Sequence, residues 1–310
     1  NSNKKIYDNP RLFLKSIFKP FKGMEVVFEY TFDKNINDYH YYTGQWEYTT
    51  IQGGVNVTPS EDYLYKYKNA TDYNAFNLYG TYQFNLKDHN FKVMAGFNQE
   101  SKYFEQLDAY SYSQAIMNFP SMAGGTSTIK ALDEYNEVNL RGGFFRVNYN
   151  YKDRYLLELN GRYDGSSKFP KKNRFGFFPS ASIGWQIAEE KFMQSTRDWL
   201  GSLKLRASYG EIGNQNISSY MYTPTLSISN SYKGWLNNGE FTTAIIDLPA
   251  MVSNSFTWEV VKTFNIGLDF SMFNNRLTGV LEYFQRDTEG MLAPGMELPG
   301  VVGASAPYQN

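Results

Sequence analysis

From Val138 to Tyr151 the chain alternates residue by residue: Gly143, Phe145, Val147, Tyr149 and Tyr151 share one parity, while Phe144, Arg146, Asn148 and Asn150 share the other. A period of two marks an extended strand with two chemically different faces, because successive side chains on a pleated backbone point to opposite sides. The next segment repeats the pattern, setting Tyr155, Leu157, Leu159 and Tyr163 against Glu158, Asn160, Arg162 and Asp164. Only Lys152 and Asp153 separate the two runs, which predicts a hairpin. Arg174–Ala188 and Leu203–Tyr209 alternate likewise. With Met24–Phe32, Phe76–Phe84, Phe91–Phe97, Phe264–Met272 and Leu277–Tyr283 the reading counts nine main strands.

Strand length narrows the choice further. Several runs extend about 10 to 14 residues, beyond the five or six usual in soluble sheets and close to the 9 to 11 that cross a bilayer at a tilt. The connections alternate in size. They are short at Leu86–Asn90, Lys152–Asp153 and Asn274–Asn275, and long at Asp33–Asp72, Tyr103–Glu137 and Glu211–Phe256. Short turns at one end and long loops at the other describe an up-and-down membrane barrel with an apolar outer face and a polar inner one. The segment Glu189–Gly201 is longer than its neighbours on the short-turn side and is expected to hold a small helical turn. Tyr149, Tyr151 and Tyr155 flank one short turn, where an aromatic girdle meets lipid headgroups. A soluble antiparallel sheet with one buried face alternates too. Strand length, alternating connections and the scarcity of helical segments to cover so many strands favour the barrel.

Composition agrees and excludes other classes. The 310 residues carry 30 Lys+Arg against 31 Asp+Glu, a net charge of -1, which gives no footprint for holding a phosphate backbone, so nucleic acid is not an expected partner. Aromatic residues make up 18%, among them 26 Tyr and 24 Phe, a profile suited to strands and interfaces. The absence of Cys removes disulfides, thiolate nucleophiles and Cys-based zinc sites. No apolar run reaches the roughly 18 residues of a spanning helix, and Asn1-Ser-Asn-Lys-Lys lacks a signal-peptide core.

The run from Gly142-Gly-Phe-Phe-Arg-Val-Asn-Tyr through Asp164-Gly-Ser-Ser-Lys-Phe169, followed by Arg174-Phe-Gly-Phe-Phe-Pro-Ser-Ala-Ser-Ile-Gly-Trp185, resembles the central barrel signature of SusC/RagA-type TonB-dependent transporters. Leu203-Lys-Leu-Arg-Ala-Ser-Tyr-Gly-Glu-Ile-Gly-Asn214 and Trp258-Glu to Asn265-Ile-Gly-Leu-Asp-Phe270 resemble the strands that follow there. The matches span most of Gly142 to Leu292; before Gly142 the likeness is in pattern. This resemblance implies a 22-stranded outer-membrane barrel, an N-terminal plug, uptake powered by the TonB complex through an N-terminal region, and a SusD-like surface lipoprotein as lid. It implies oligosaccharide or peptide cargo and contact with outer-membrane lipid. The whole of 1–310 is then expected to be a partial, unclosed barrel wall, without plug domain, signal peptide or C-terminal strands. Two other classes stay open: a complete small barrel acting as adhesin or anchor, and a soluble β-rich carbohydrate-binding or hydrolytic domain.

Catalytic chemistry finds little support. His40 and His89 are the only histidines and lie far apart, each expected at a surface loop or turn, so neither a His-based general base nor a metal pair is expected. Glu61-Asp62 and Glu189-Glu190 set carboxylates side by side, where extended backbone points them apart, and solvated charge is the expected role. Asp164-Gly-Ser-Ser lacks the strand-to-helix elbow and nearby histidine of a nucleophilic serine and is read as the start of a loop. No cofactor is implied. Binding candidates are aromatic: Tyr41, Tyr42, Trp46, Tyr63 and Tyr65 in the long segment from Asp33 to Asp72, and Trp235 after Ile217, any of which can stack on a sugar or anchor a protein. Tyr63, Tyr65 and Tyr67 also alternate with Leu64 and Lys66, so the same rings can simply continue strands. Arg146, Asn148, Glu158, Asn160 and Arg162 are the lumen-facing candidates, able to line a polar passage or to grip a plug.

Overall fold

Alternation in the sequence becomes one long antiparallel sheet. The computed structural model describes residues 3–225, 228–229, 236–237, 240–241, 245–246, 251–253, 255–299, 301 and 306–310. In chain order the strands are β1 (Asn3–Asp8), β2 (Arg11–Phe18), β3 (Met24–Thr43), β4 (Trp46–Thr49), β5 (Val55–Thr58), β6 (Tyr63–Leu86) and β7 (His89–Tyr112). They continue as β8 (Ile129–Tyr151), β9 (Tyr155–Ser166), β10 (Phe175–Gln186), β11 (Leu200–Asn214), β12 (Glu259–Met272) and β13 (Leu277–Glu289). The main sheet runs β1-β3-β6-β7-β8-β9-β10-β11-β12-β13, with β2 also on β3, eleven strands in all; β4 and β5 pair only with each other. Among the described residues the end strands β1 and β13 do not meet, so the sheet is open.

The two strands beyond the expected nine are β1 and β2. They lie end to end along one edge of β3: Asp8 pairs with Ile36, and past the Asn9-Pro10 break Arg11 meets Asp33 while Lys15 meets Glu29 at 2.8 Å, in unchanged register. Pro10 has no N–H to give to a ladder, an omission tolerated on an edge strand, and its carbonyl still accepts the Lys34 N–H at 3.0 Å. Other expected loops also turn out to be strand. β6 and β7 each span 24 residues and β8 spans 23, so Asp33–Asp72 and Tyr103–Glu137 are mostly ladder rather than loop. Residues with polar side chains on both faces keep the backbone pairing while losing the apolar alternation that makes a strand visible in sequence. The short turns and the helical turns stand where expected, the latter as 3₁₀ turns at Ile187–Glu189 and Lys191–Thr196. Lys152 and Asp153 both take φ of 54°, the left-handed pair that a tight two-residue hairpin needs.

The chain divides into two compact units. One comprises Ile17–Val27, Leu78–Asn98 and Leu140–Asn310. Here Leu157 pairs with Ile183 and Tyr155 with Trp185 on one face, and Glu158 pairs with Ser182 and Asn160 with Ser180 on the other. The register carries the division into β11, where Leu205 follows Trp185 on the apolar side and Lys204 follows Gln186 on the polar side. Among the described residues no second layer covers the apolar face: Ile183 is 59% exposed, Phe177 53% and Leu159 39%. Near the short turns that face becomes a belt of rings, from Phe21 against Tyr82 (5.7 Å) through Phe84 against Phe91 (5.0 Å) to Phe91 against Tyr149 (4.9 Å) and Tyr151 against Tyr155 (6.2 Å). On the polar side Phe169, Phe178, Phe256 and Trp258 form a small buried cluster. The outer end of the Phe178 ring lies against Gly176 and Gly213, where a Cβ has no room.

The other unit comprises Asn1–Ser16, Phe28–Asn77 and Gln99–Asn139. Its two connections, 44–62 and 113–128, meet at Asp62. That carboxylate accepts the Tyr42 hydroxyl at 2.9 Å and the Gln114 N–H at 3.2 Å, and its carbonyl accepts the Ser113 N–H at 2.9 Å. Asp62 is therefore buried and bonded, not a solvated charge. Glu190 departs from the same expectation, since it takes the Tyr155 hydroxyl at 2.5 Å and the Trp185 indole N–H at 3.1 Å beside Arg154. Exposed Glu189, paired with Arg197, fits it.

Candidate functional site

Tyrosine at every second position makes the first candidate surface. Tyr63, Tyr65 and Tyr67 on β6 share a face, and antiparallel pairing sets them between Tyr39 and Tyr41 of β3 on one side and Tyr110 and Tyr112 of β7 on the other. Tyr65 stacks on Tyr110 with centroids 4.6 Å apart and meets Tyr39 edge to face at 6.2 Å. Tyr63 contacts Tyr112 at 5.8 Å and Tyr41 at 6.2 Å. Hydrogen-bonding groups are set among the rings: the Tyr65 hydroxyl donates to Asp108 at 2.6 Å, the Gln106 amide donates to the same carboxylate at 2.7 Å, and Asn37 donates to Asn69 at 2.7 Å. Burial first, and then the bond to Asp108, raises the Tyr65 pKa far above the usual value, so this hydroxyl stays a donor at any physiological pH. Lys5 sits 4.7 Å above the Tyr39 ring, at the edge of a cavity of about 380 Å³ lined by Tyr7, Asn37, Tyr39, Tyr65 and Tyr67. Rings with polar groups between them offer CH–π contact and directional hydrogen bonds together.

The aromatic candidates named from sequence separate. Tyr41, Tyr63 and Tyr65 belong to the array. Tyr42, on the opposite parity of β3, does not: it is buried against Asp62, and burial first, then that hydrogen bond, pushes its pKa up to about 12. Its ring is a structural strut, because one step along a strand reverses the face. Trp46 leaves on the β4–β5 hairpin, exposed, with its ring 5.4 Å from Tyr48. Trp235 lies outside the described residues.

Four of the five polar candidates on β8 and β9 join one hydrogen-bonded cluster, and Arg162 on the same face turns to Asp164. Arg146 donates to Asn160 at 2.6 Å, Asn148 donates to Glu158, Asn160 donates to Glu158 at 2.8 Å, and Arg162 pairs with Asp164 at 2.9 Å. A cavity of about 440 Å³ lies on this face between Asn148, Glu158, Lys204, Arg206 and Ser208. Sequence reading missed a second cluster farther along it, where Arg206 reaches Asp269 at 3.3 Å, Asn265 at 3.2 Å and Glu282 at 3.1 Å. The available signal was Gly267, which pairs directly with Arg206 and leaves the guanidinium its space.

The Asp164-Gly-Ser-Ser-Lys-Phe segment serves structure. Ser166 is fully buried and ends β9, Lys168 donates from Nζ to the Ile217 carbonyl at 2.7 Å, and Phe169 enters the cluster with Trp258 at 5.0 Å. Of the two histidines, His89 shares a 2.8 Å hydrogen bond with Tyr149 inside the aromatic belt, and His40 is partly buried with a lowered pKa from burial, then Lys66. Neither is a free surface histidine.

Residues 3–310 match the family model described as TonB dependent receptor-like, beta-barrel. The chain is 32% identical over 269 residues to TonB-dependent receptor P3 of Formosa agariphila, covering 86% of this chain and 26% of that protein. It is 32% identical over 225 residues to TonB-dependent receptor SusC of Bacteroides thetaiotaomicron, covering 70% of this chain and 21% of that protein. Among solved structures it resembles the RagAB peptide transporter with a TM-score of 0.82 at 20% identity, over 99% of this chain and 33% of that one, a likeness of fold. The chain thus spans about a quarter of the length of the curated relatives it matches. It belongs to the TonB-dependent receptor-like β-barrel family, whose members are outer-membrane receptors and transporters of the kind that includes SusC.

Proposed function

We propose that this chain is a stretch of wall from an outer-membrane transporter of a Gram-negative cell, importing glycan fragments or peptides under a SusD-like lipoprotein lid and drawing on the TonB complex through another part of the whole protein. The observation that carries the reading is a single-layer sheet with one bare apolar face and one hydrogen-bonded polar face. Lipid is the solvent that suits the first, and water or cargo suits the second. A soluble enzyme or binding domain would need a second layer over Ile183 and Phe177, and a finished small barrel would need β1 to pair with β13.

In this reading Arg146, Asn148, Glu158, Asn160 and Arg162 line the passage, and the connections opposite the short turns lie outside the cell. Tyr41, Tyr63 and Tyr65 then meet the cargo, offering ring surface to the apolar side of a sugar or a peptide side chain. Replacing these three with Ala in the full-length protein is expected to lower uptake of labelled oligosaccharide or peptide by its host about tenfold while barrel levels stay unchanged. Unaltered uptake of both cargo classes at normal barrel levels would refute the tyrosine assignment.

A further inference from the structure

Lys5 stands on the tyrosine face with no carboxylate paired to it among the described residues. Its partner there is the Tyr39 ring, 4.7 Å from the ammonium. Strand pairing sets Lys5 opposite Tyr39 and Tyr7 opposite Asn37, which puts both on the side of the sheet that carries Tyr65 and Tyr67. A ring face attracts a cation but brings no charge to it, so the ammonium keeps its N–H groups for an acceptor. The acids of this unit that border the array are engaged elsewhere. Asp108 accepts the Tyr65 hydroxyl and the Gln106 amide. Asp38 touches the same cavity, but it sits on the other parity of β3, opposite Ile6, where it acts on His40 together with Lys66 and Lys4.

The hydroxyls around the cavity are donors as well. Tyr67 accepts the Asn69 amide, which leaves its own proton to give, and Tyr7, 69% exposed, has its proton to give too. Asn37 spends its amide on Asn69 and keeps its carbonyl oxygen for a hydroxyl or N–H of the ligand. A volume of about 380 Å³ lies at the lower end of ligand pockets, the size of one sugar ring or one amino-acid residue. An ammonium with two phenolic donors suits a group that only accepts, and an ionised carboxylate is such a group, matching Lys5 charge for charge. A phosphate monoester, at roughly -1.5 to -2, would bring more negative charge than one lysine offsets, with Asp38 beside it.

We propose that the cavity between β1 and the tyrosines of β3 and β6 is a carboxylate subsite. Lys5 takes the carboxylate by a charge-assisted hydrogen bond, Tyr7 and Tyr67 donate to it, and Tyr39 and Tyr65 cover the body that carries it. The cargo is then acidic: an oligosaccharide bearing uronic-acid residues, or a peptide held by its C-terminus. This subsite rests on the cargo reading of the tyrosines above and adds a charge requirement to it.

The test titrates the purified full-length receptor by calorimetry with two matched pairs: trigalacturonate against its methyl ester, and N-acetyl-trialanine against its C-terminal amide. In one pair the acid is expected to bind about tenfold more tightly than its neutral twin. Lys5→Met should erase that difference, Lys5→Arg should keep most of it, and added salt should shrink it. A preference in the sugar pair assigns the carboxylate to a uronic acid, and one in the peptide pair assigns it to a C-terminus. Heat-modifiable migration checks that each variant is an intact barrel. Equal affinity for acid and twin in both pairs, or a preference that survives Lys5→Met in an intact barrel, overturns the subsite. If Tyr65→Ala still weakens both members of a pair, the cargo reading of the tyrosines stands without it. A wild-type receptor that binds none of the four probes also overturns the subsite, and unaltered uptake in the triple tyrosine variant then removes the cargo reading with it.

Discussion

Leu157 and Ser182 stand one residue out of register on adjacent strands, yet they face different solvents. Leu157 pairs with Ile183 on the bare apolar face, and Ser182 pairs with Glu158 on the polar one. An arginine at position 157 must put its guanidinium into hydrocarbon; one at 182 finds the Glu158 carboxylate and water. In the full-length barrel refolded into lipid, Leu157→Arg is therefore expected to cost about 2 to 4 kcal/mol and Ser182→Arg under about 1, read from urea titration. Equal costs would contradict the assignment of faces. Gly213 sets a different kind of limit. The Phe178 ring occupies the place a Cβ would take, so Gly213→Ala should destabilise by about 1 to 3 kcal/mol, and Phe178→Leu in the same chain should return part of that loss. Failure of the double variant to recover would show that the ring is not what excludes the methyl group.

Among the elements, the Asp62 clasp has a pH signature. Tyr42 holds its proton beyond the usual value near 10, up to about 12, because burial and the bond to Asp62 both favour the neutral hydroxyl. A raised pKa in the folded state means that the contribution is complete below pH 10 and is lost as pH rises through about 12. Protease cleavage within 44–62 and 113–128 should increase across that window. Tyr42→Phe, which leaves Asp62 buried without one donor at a cost of about 1 to 3 kcal/mol, should raise cleavage at neutral pH and remove the step. A cleavage profile identical to wild type would deny the clasp. The clasp also shows where sequence reasoning runs out. β9 and β10 are legible because apolar and polar residues alternate across a lipid boundary. In β1, β2 and the 63–77 part of β6 both faces carry polar groups, so the backbone pairs without the side chains announcing it. Tyr63, Tyr65 and Tyr67 announce their shared face, but Tyr110 and Asp108 join them only through β7, which sequence reading ended near Phe97. Asp62 beside Glu61 looks like solvated charge until a chain segment 52 residues away covers it.

For the whole molecule, orientation is the first question. The chain has no Cys, so single cysteines at Gln52, Asn118, Lys152 and Asn274, all exposed, give clean reporters in a full-length protein otherwise free of Cys. A membrane-impermeant maleimide on intact cells should label positions 52 and 118 and reach 152 and 274 only after the outer membrane is breached. The opposite pattern would invert the topology. The polar face carries its charges in pairs. Arg146 is balanced by Glu158, Arg162 by Asp164, and Arg206 by Asp269 and Glu282. Paired opposite charges this close largely offset each other's field, which leaves these stretches of the face wettable with little long-range attraction of their own. If the proposed transporter reading holds, contact with such a surface is made through short-lived hydrogen bonds rather than through long-range attraction.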